Sequence, residues 1–184
     1  MSVDGFVGGP NGELDWMQWN WDDGIKKYVD DLTDSVDTIL LGRKMTEGFI
    51  SHWSNVVRNP SDPSYSFAKK MMDKPKFVFS KTLKESAWEN TSVINDNFQK
   101  EIKNLKGQPG KELPTGQAGI IVYGGAGFVS SLVENNLIDE YYLFVNPTAI
   151  GKGLSIFNGR TNLKLVKTIL FDCGIVLLNY IPQP

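Results

Sequence analysis

The chain has 184 residues, one cysteine, one histidine and a formal net charge of −2. A chain of this length buries about 70% of the surface that it exposes when unfolded, so we expect residues 1–184 to form a single domain. One Cys with one His excludes a disulfide framework and a usual structural zinc site. The slightly negative net charge argues against a nucleic-acid partner. The sequence has neither a signal-peptide pattern nor an apolar run of about 18 residues, which predicts a cytoplasmic protein with no membrane partner.

The chain opens on a turn that is followed by an aromatic loop. Residues 1–6 look like the end of a strand running into a turn, which predicts that the chain begins inside its first strand. Three tryptophans follow a second turn: Trp16, Trp19 and Trp21. These rings suit the walls of a pocket for a flat ligand, and ordinary core or dimer packing explains them as well.

Hydrophobic spacing predicts helices and strands in alternation over the next part of the chain. An amphipathic helix has its apolar face at Ile25, Tyr28, Val29 and Leu32. The predicted elements after it are a strand at residues 38–41, a helix from Arg43, a helix at residues 64–72, strands at residues 77–79 and 91–94, and a helix whose apolar face holds Phe98, Ile102 and Leu105.

The same alternation continues after a polar loop predicted at residues 107–116. A strand at residues 119–123, a helix at 128–135 and a strand at 140–145 are expected to extend a mainly parallel sheet. Two final runs, residues 163–171 and 175–181, have a short connection and therefore form an antiparallel hairpin. The fold class is α/β, with a mainly parallel central sheet that ends in an antiparallel C-terminal hairpin.

Three predicted strands end in residues that suit phosphate oxygens. The strand ends read Gly42-Arg43-Lys44-Met45-Thr46, Ser80-Lys81-Thr82 and Gly124-Gly125-Ala126-Gly127. Ligands of α/β sheets collect at the carboxyl ends of strands, and bare glycine backbone at a helix start lets N–H groups approach an anion. Each site alone also fits a solvated surface, a helix cap or tight packing, and neither a dinucleotide-binding G-x-G-x-x-G fingerprint with its carboxylate nor a Walker A loop is present.

Six motifs in order resemble the dihydrofolate reductase-like superfamily, and most closely the branch related to the reductase domain of bacterial riboflavin biosynthesis. The motifs are SVDGFV at residues 2–7, LGRKMT at 41–46, FSKTL at 79–83, VYGGA at 122–126, LIDEY at 137–141 and PTAIGKG at 147–153. The resemblance implies a three-layer α/β/α fold of the dihydrofolate reductase type, NADPH as the hydride donor, and a homodimer.

The resemblance also assigns residues to the cofactor and the substrate. Gly42, Arg43, Lys44 and Thr46 would lie near the adenosine half of NADPH, Ser80 and Lys81 near its 2′-phosphate, and Gly124, Gly125 and Ala126 at its pyrophosphate. Asp4 and Gly5 would border the nicotinamide and the substrate, with the loop at residues 150–153 closing near them. Trp16 and Trp19 would wall the substrate pocket, and Asp4 is the one candidate proton donor, with water as the alternative.

Two departures from the family's sequence pattern narrow the range of possible substrates. The pterin-binding carboxylate of dihydrofolate reductases is not matched near residues 25–27, and the zinc deaminase signatures of the bifunctional riboflavin protein are absent. The sequence therefore predicts hydride transfer to a small heteroaromatic substrate, pterin-like or aminopyrimidine-like, with 5-amino-6-(5-phosphoribosylamino)uracil among the options. The alternatives are a nucleotide-binding or regulatory protein on the same fold without reductase activity, and a purely structural domain.

Overall fold

A computed structural model describes residues 1–108 and 119–183. The chain divides into two compact units, one formed by Met1–Val29 with Val129–Pro184 and the other by Asp30–Phe128. Most of the loop predicted at residues 107–116 lies outside the described residues. Among the described helices, none is long and apolar enough to span a bilayer.

The unit Asp30–Phe128 is built on a parallel four-stranded sheet. Its strands are β1 (Thr38–Gly42), β2 (Lys76–Phe79), β3 (Thr91–Ile94) and β4 (Ile120–Val122), in the spatial order β3-β2-β1-β4. Its helices are α2 (Arg43–Val57), α3 (Tyr65–Asp73) and α4 (Phe98–Lys106), while α1 (Asp23–Asp34) and α5 (Ala126–Glu134) cross the boundaries of the unit. The parallel sheet predicted from the alternation of elements is confirmed.

The core of this unit forms because β1 and β2 present continuous apolar runs. A parallel strand that is covered on both faces reads as such a run. Ile39 and Leu41 of β1 are fully buried, as is Val78 of β2, and α2 and α3 contribute Phe49, Ile50 and Met71 to the same cluster. The packing fixes the position of β1 in the middle of the sheet, next to β4.

The most unusual core residue is Lys76, which the sequence analysis did not identify. Its side chain is buried, and its Nζ donates hydrogen bonds to the carbonyl oxygens of Met71, Met72 and Lys74 at 3.1, 2.7 and 2.8 Å. These carbonyls lie at the C-terminal end of α3, where no intrahelical donor is available. Burial lowers the pKa of Lys76 to about 8, so the group is still largely protonated at neutral pH and can donate all three bonds.

The unit formed by Met1–Val29 and Val129–Pro184 contains an antiparallel three-stranded sheet. Its strands are β5 (Tyr141–Val145), β6 (Leu163–Leu170) and β7 (Val176–Pro182), in the order β5-β7-β6. Ile25 of α1 packs against Phe171, Ile175 and Leu177 to form the core. The Asp22 carboxylate accepts hydrogen bonds from the N–H groups of Ile25 and Cys173 and so joins the helix start to the hairpin turn. The predicted C-terminal hairpin is confirmed.

The prediction that residues 140–145 extend the parallel sheet is wrong. β5 pairs with β7 in the antiparallel sheet, with Tyr141 opposite Tyr180 and Val145 opposite Val176. The hydrophobic pattern of a strand does not define its direction relative to its partner, so the sequence could not distinguish the two pairings. At the start of the chain, Met1 exchanges backbone hydrogen bonds with Phe144 and Asn146 beside β5.

We predict that Lys76→Met lowers the free energy of unfolding by about 2 kcal/mol, because the carbonyls at the end of α3 lose a buried charged donor. Urea denaturation measures the change. Lys69→Met is the control: Lys69 pairs with Asp73 on an exposed surface, and such pairs contribute about 0–1 kcal/mol. Equal losses for the two variants would contradict the structural role given to Lys76.

Candidate functional site

The strand order of the parallel sheet defines a switch point between β1 and β4. The chain proceeds from β1 outward to β2 and β3 and then returns to place β4 on the other side of β1. Open α/β sheets bind ligands outside the carboxyl ends of the strands, where the strand order reverses. In this sheet that position is the edge at which β1 ends at Gly42 and Gly124 follows β4.

Two glycines at this edge allow the backbones to approach closely. The N–H of Gly42 donates to the carbonyl oxygen of Gly124 at 2.8 Å. A Cβ on Gly42 would lie 3.0 Å from both the nitrogen of Gly125 and the Cβ of Phe128, and a Cβ on Gly124, which has φ +130°, would lie 2.8 Å from the Met45 sulfur. Packing against backbone therefore restricts Gly42, whereas Gly124 is restricted to glycine by its positive φ, since the Met45 side chain next to it can move. The Gly124–Gly125 peptide bond is cis.

The next glycines have open space where a side chain would be. A Cβ on Gly125 would meet only the Cβ of Met45, at 3.9 Å, and a Cβ on the exposed Gly127 would meet nothing within 4 Å. Both residues flank Ala126, the first residue of α5. Because the N-terminus of a helix carries a partial positive charge and no side chain covers these glycines, this segment is a physically suitable cradle for a pyrophosphate.

The two helices that begin at the switch point carry no acidic residue of their own near their positive ends. Neither α2 nor α5 has an acidic residue in its first turn, whereas α1 has Asp23 and α4 has Glu101 there. The first turn of α2 instead carries Arg43 and Lys44, both exposed. In the part of the chain that the structure describes, no carboxylate pairs with either cation, so this edge of the sheet favours an anion.

The turn after β2 presents one cation on a rigid backbone. The Oγ of Ser80 accepts hydrogen bonds from the N–H groups of Thr82 and Leu83 at 3.1 and 2.8 Å. The side-chain amide of Asn95, just after β3, donates to the carbonyl oxygens of Ser80 and Leu83. Ser80 is thus used within the turn, and Lys81 is exposed at its tip. Sequence reasoning missed Asn95, although its position after the neighbouring parallel strand places it at the same edge.

Thr46, assigned by resemblance to the adenosine half of the cofactor, has a structural contact. Its hydroxyl donates to the carbonyl oxygen of Gly42 at 3.1 Å, and the residue is fully buried. The hydroxyl therefore stabilises the first turn of α2. Within residues 1–108 and 119–183, no three His, Cys, Asp or Glu side chains converge as ligands for a metal ion.

Asp4 lies in the other unit and holds a loop. Its carboxylate accepts hydrogen bonds from the N–H groups of Ile150, at 3.2 Å, and Gly151, at 2.7 Å. The Ser2 hydroxyl, followed by these backbone donors, holds the pKa of Asp4 below its ordinary value. Gly5, with φ +90°, closes the turn behind Asp4. These contacts favour the ionised carboxylate, which weighs against Asp4 as a proton donor.

The three tryptophans of the opening loop differ in exposure and contacts. Trp16 is partly buried and donates from Nε1 to the carbonyl oxygen of Glu13, whereas Trp19 is 61% exposed. Trp19 stacks on Trp21, with ring centroids 6.5 Å apart. A largely exposed ring on a partly buried one leaves an aromatic surface available to a ligand, and the assignment of Trp16 and Trp19 to a substrate stays a prediction.

Comparisons with known proteins agree with this architecture. The chain is 34% identical to the uncharacterized protein YyaP of Bacillus subtilis (strain 168), over 98% of this chain and 90% of that protein. Among solved structures, a candidate riboflavin biosynthesis protein from Shewanella sp. PV-4 covers the whole chain with a TM-score of 0.71 at 20% identity, and this chain covers 96% of it. RibD of Acinetobacter baumannii matches with a TM-score of 0.63 at 19% identity, and the chain covers 56% of it.

These likenesses confirm the dihydrofolate reductase-like fold that the six motifs predicted. The family model of the RibD C-terminal domain matches residues 1–177. The chain belongs to the RibD C-terminal domain family.

Proposed function

We propose that this protein is an NADPH-dependent reductase that transfers a hydride to a small heteroaromatic compound, pterin-like or aminopyrimidine-like. The observation that carries the proposal is the bare glycine start of α5 at the switch point, next to the cationic start of α2. The family supports it: a Thermotoga maritima relative, 15% identical with a TM-score of 0.64, is described as a deaminase and 5-amino-6-(5-phosphoribosylamino)uracil reductase, and this chain covers 54% of it.

The residues of the parallel sheet edge fit the phosphates of the cofactor. Gly125 and Ala126, held in place by Gly42 and Gly124, would receive the pyrophosphate on bare backbone. Arg43 and Lys44 would supply positive charge beside it, and Lys81 would pair with the 2′-phosphate that distinguishes NADPH from NADH. When bound, NADPH supplies the hydride, and the protein binds and orients it.

The substrate side is proposed from the unit that contains Asp4. The ionised Asp4 carboxylate would hold the Ile150–Gly151 backbone in place, and Trp16 and Trp19 would contact a flat substrate through their rings. Since the contacts of Asp4 favour its ionised form, we propose water as the proton source. We further propose that the protein is a single-domain homodimer of the cytoplasm. A nucleotide-binding regulatory protein is the alternative, motivated by the unmatched pterin-binding carboxylate near residues 25–27.

The proposed activity predicts that purified protein binds NADPH in preference to NADH. Titration with each nucleotide, followed by tryptophan fluorescence, measures the preference. A screen of pterins and aminopyrimidines then follows the loss of NADPH absorbance. Binding with substrate-dependent oxidation is expected; binding without oxidation by any compound would favour the regulatory alternative, and no binding of either nucleotide would contradict the cofactor site itself.

We predict that Gly127→Glu weakens NADPH binding by about tenfold or more, because a carboxylate at the start of α5 repels the pyrophosphate. We expect no loss of stability, since Glu is a better helix former than Gly by roughly 0.5–1 kcal/mol and there is space for the side chain. Fluorescence titration and thermal unfolding measure the two effects.

The matched control for this variant is Gly159→Glu. Gly159 is exposed, a Cβ at this position would meet nothing within 4 Å, and the residue lies outside the parallel-sheet unit. The control therefore adds the same charge at a residue to which no contact with the cofactor is assigned. Equal NADPH affinity for Gly127→Glu and Gly159→Glu, with both variants folded, would contradict the proposal that the pyrophosphate binds at the start of α5.

We predict that Lys81→Ala reduces NADPH affinity by about tenfold and leaves NADH affinity unchanged, because only NADPH carries the 2′-phosphate. Parallel titrations with the two nucleotides measure the ratio. Lys84→Ala is the control, as Lys84 is also exposed and lies three residues further on. A parallel loss of both affinities, or the same effect for Lys84→Ala, would contradict the role proposed for Lys81.

A further inference from the structure

The antiparallel sheet has one face that α1 covers and one face that is largely apolar and uncovered by α1. Leu177 is fully buried in the cluster that contains Ile25 of α1, and the partly buried Ile169, Tyr142 and Phe144 pack against this cluster. Side chains alternate between the two faces of a strand. The residues directly paired on the opposite side are Leu170 with Val176, Thr168 with Leu178, and Leu165 with Tyr180. We call this side, completed by Tyr141, Leu143 and Val145 of β5, the outer face.

The outer face carries no charge and is exposed along β6. Leu170 is 73% exposed, Leu165 is 50% exposed and Thr168 is exposed, whereas the side chains of this face on β7 and β5 are partly buried and Tyr141 is buried. The lysines of β6, Lys164 and Lys167, pair with Ile181 and Asn179 and therefore lie on the α1 side, where Lys167 sits 5.5 Å from the centre of the Tyr28 ring. Contiguous apolar surface of this kind marks an interaction site.

The β6 edge of the same sheet, in contrast to its outer face, is protected against pairing with a strand of another molecule. β6 is the end strand in the described sheet, and its pairing with β7 is interrupted by a bulge between Leu165 and Lys167. Bulges and lysines on an edge strand prevent pairing with another strand. Pairing of β6 with its own copy would also bring the lysines of the two strands together, and like charges opposite each other are destabilising. Association by addition of a strand is therefore disfavoured.

We infer that a second copy of this chain covers the outer face, so that two antiparallel sheets pack face to face in the dimer. In a two-fold interface each residue near the axis meets its own counterpart, so a charged side chain there would meet the same charge. A face without charges satisfies this requirement, and its Leu, Val and Tyr side chains supply the apolar core that homodimer interfaces contain. The inference names the surface of the proposed homodimer and does not depend on the reductase activity.

The test is the mass of the protein in solution by light scattering after gel filtration. Wild-type protein at about 50 µM, a concentration at which a micromolar dimer is mostly associated, is expected at the mass of two chains. Leu170→Glu and Leu165→Glu, made separately, are expected at the mass of one chain with an unchanged far-ultraviolet circular dichroism spectrum. Thr168→Lys, which replaces an exposed polar side chain, gives the same test if a leucine variant fails to fold.

The control is Leu14→Glu, since Leu14 is 43% exposed and lies in the opening loop, not in a strand of the sheet. This variant is expected to remain a dimer. A wild-type mass of one chain would overturn the inference. Folded Glu or Lys variants that all stay dimeric would show that the copies associate through a different surface, and this would overturn it equally.

Discussion

The close approach of β1 and the turn after β4 is the constraint on which the candidate site depends. The N–H of Gly42 bonds to the carbonyl oxygen of Gly124; Gly42 has little room for a side chain, and the φ of Gly124, +130°, strains any residue but glycine. Because β1 is central in the parallel sheet, this contact brings the first turns of α2 and α5 to the same edge. A larger residue at either position would separate the two helix starts, and the concentration of N–H groups and positive charge there would be lost.

The glycines of the edge divide into two groups with different physical roles. Gly42 lacks a side chain because protein atoms occupy the space, which supports the interpretation of this turn as tight packing, and Gly124 is glycine because its φ of +130° strains other residues. Gly125 and Gly127 face open space, where packing requires nothing and a ligand can approach the backbone. Packing and anion binding are therefore complementary explanations of one segment. Gly42 and Gly124 fix the turn, and Gly125 and Gly127 leave its backbone open to a ligand.

Much of the fold followed from the sequence because its signals are local. Apolar runs that end in glycine or a hydroxyl residue indicate β1, β2 and β4 and the positions of their carboxyl ends. Pairing is not local, and β5 was accordingly assigned to the wrong sheet. Lys76 and Asn95 were missed because their roles depend on carbonyl groups of other elements. The sequence likewise could not show that the hydroxyls of Thr46 and Ser80 bond within their own turns.

The central claim is that the edge between β1 and β4 binds the phosphates of NADPH. Amide-resolved NMR during titration with NADPH tests it most directly, because it reports which backbone N–H groups change their surroundings. The account predicts that the largest shifts occur at Gly125, Ala126 and Gly127, with further shifts at Arg43 and Lys81. Binding whose shifts avoid these residues, or the absence of any shift at saturating NADPH, would contradict it.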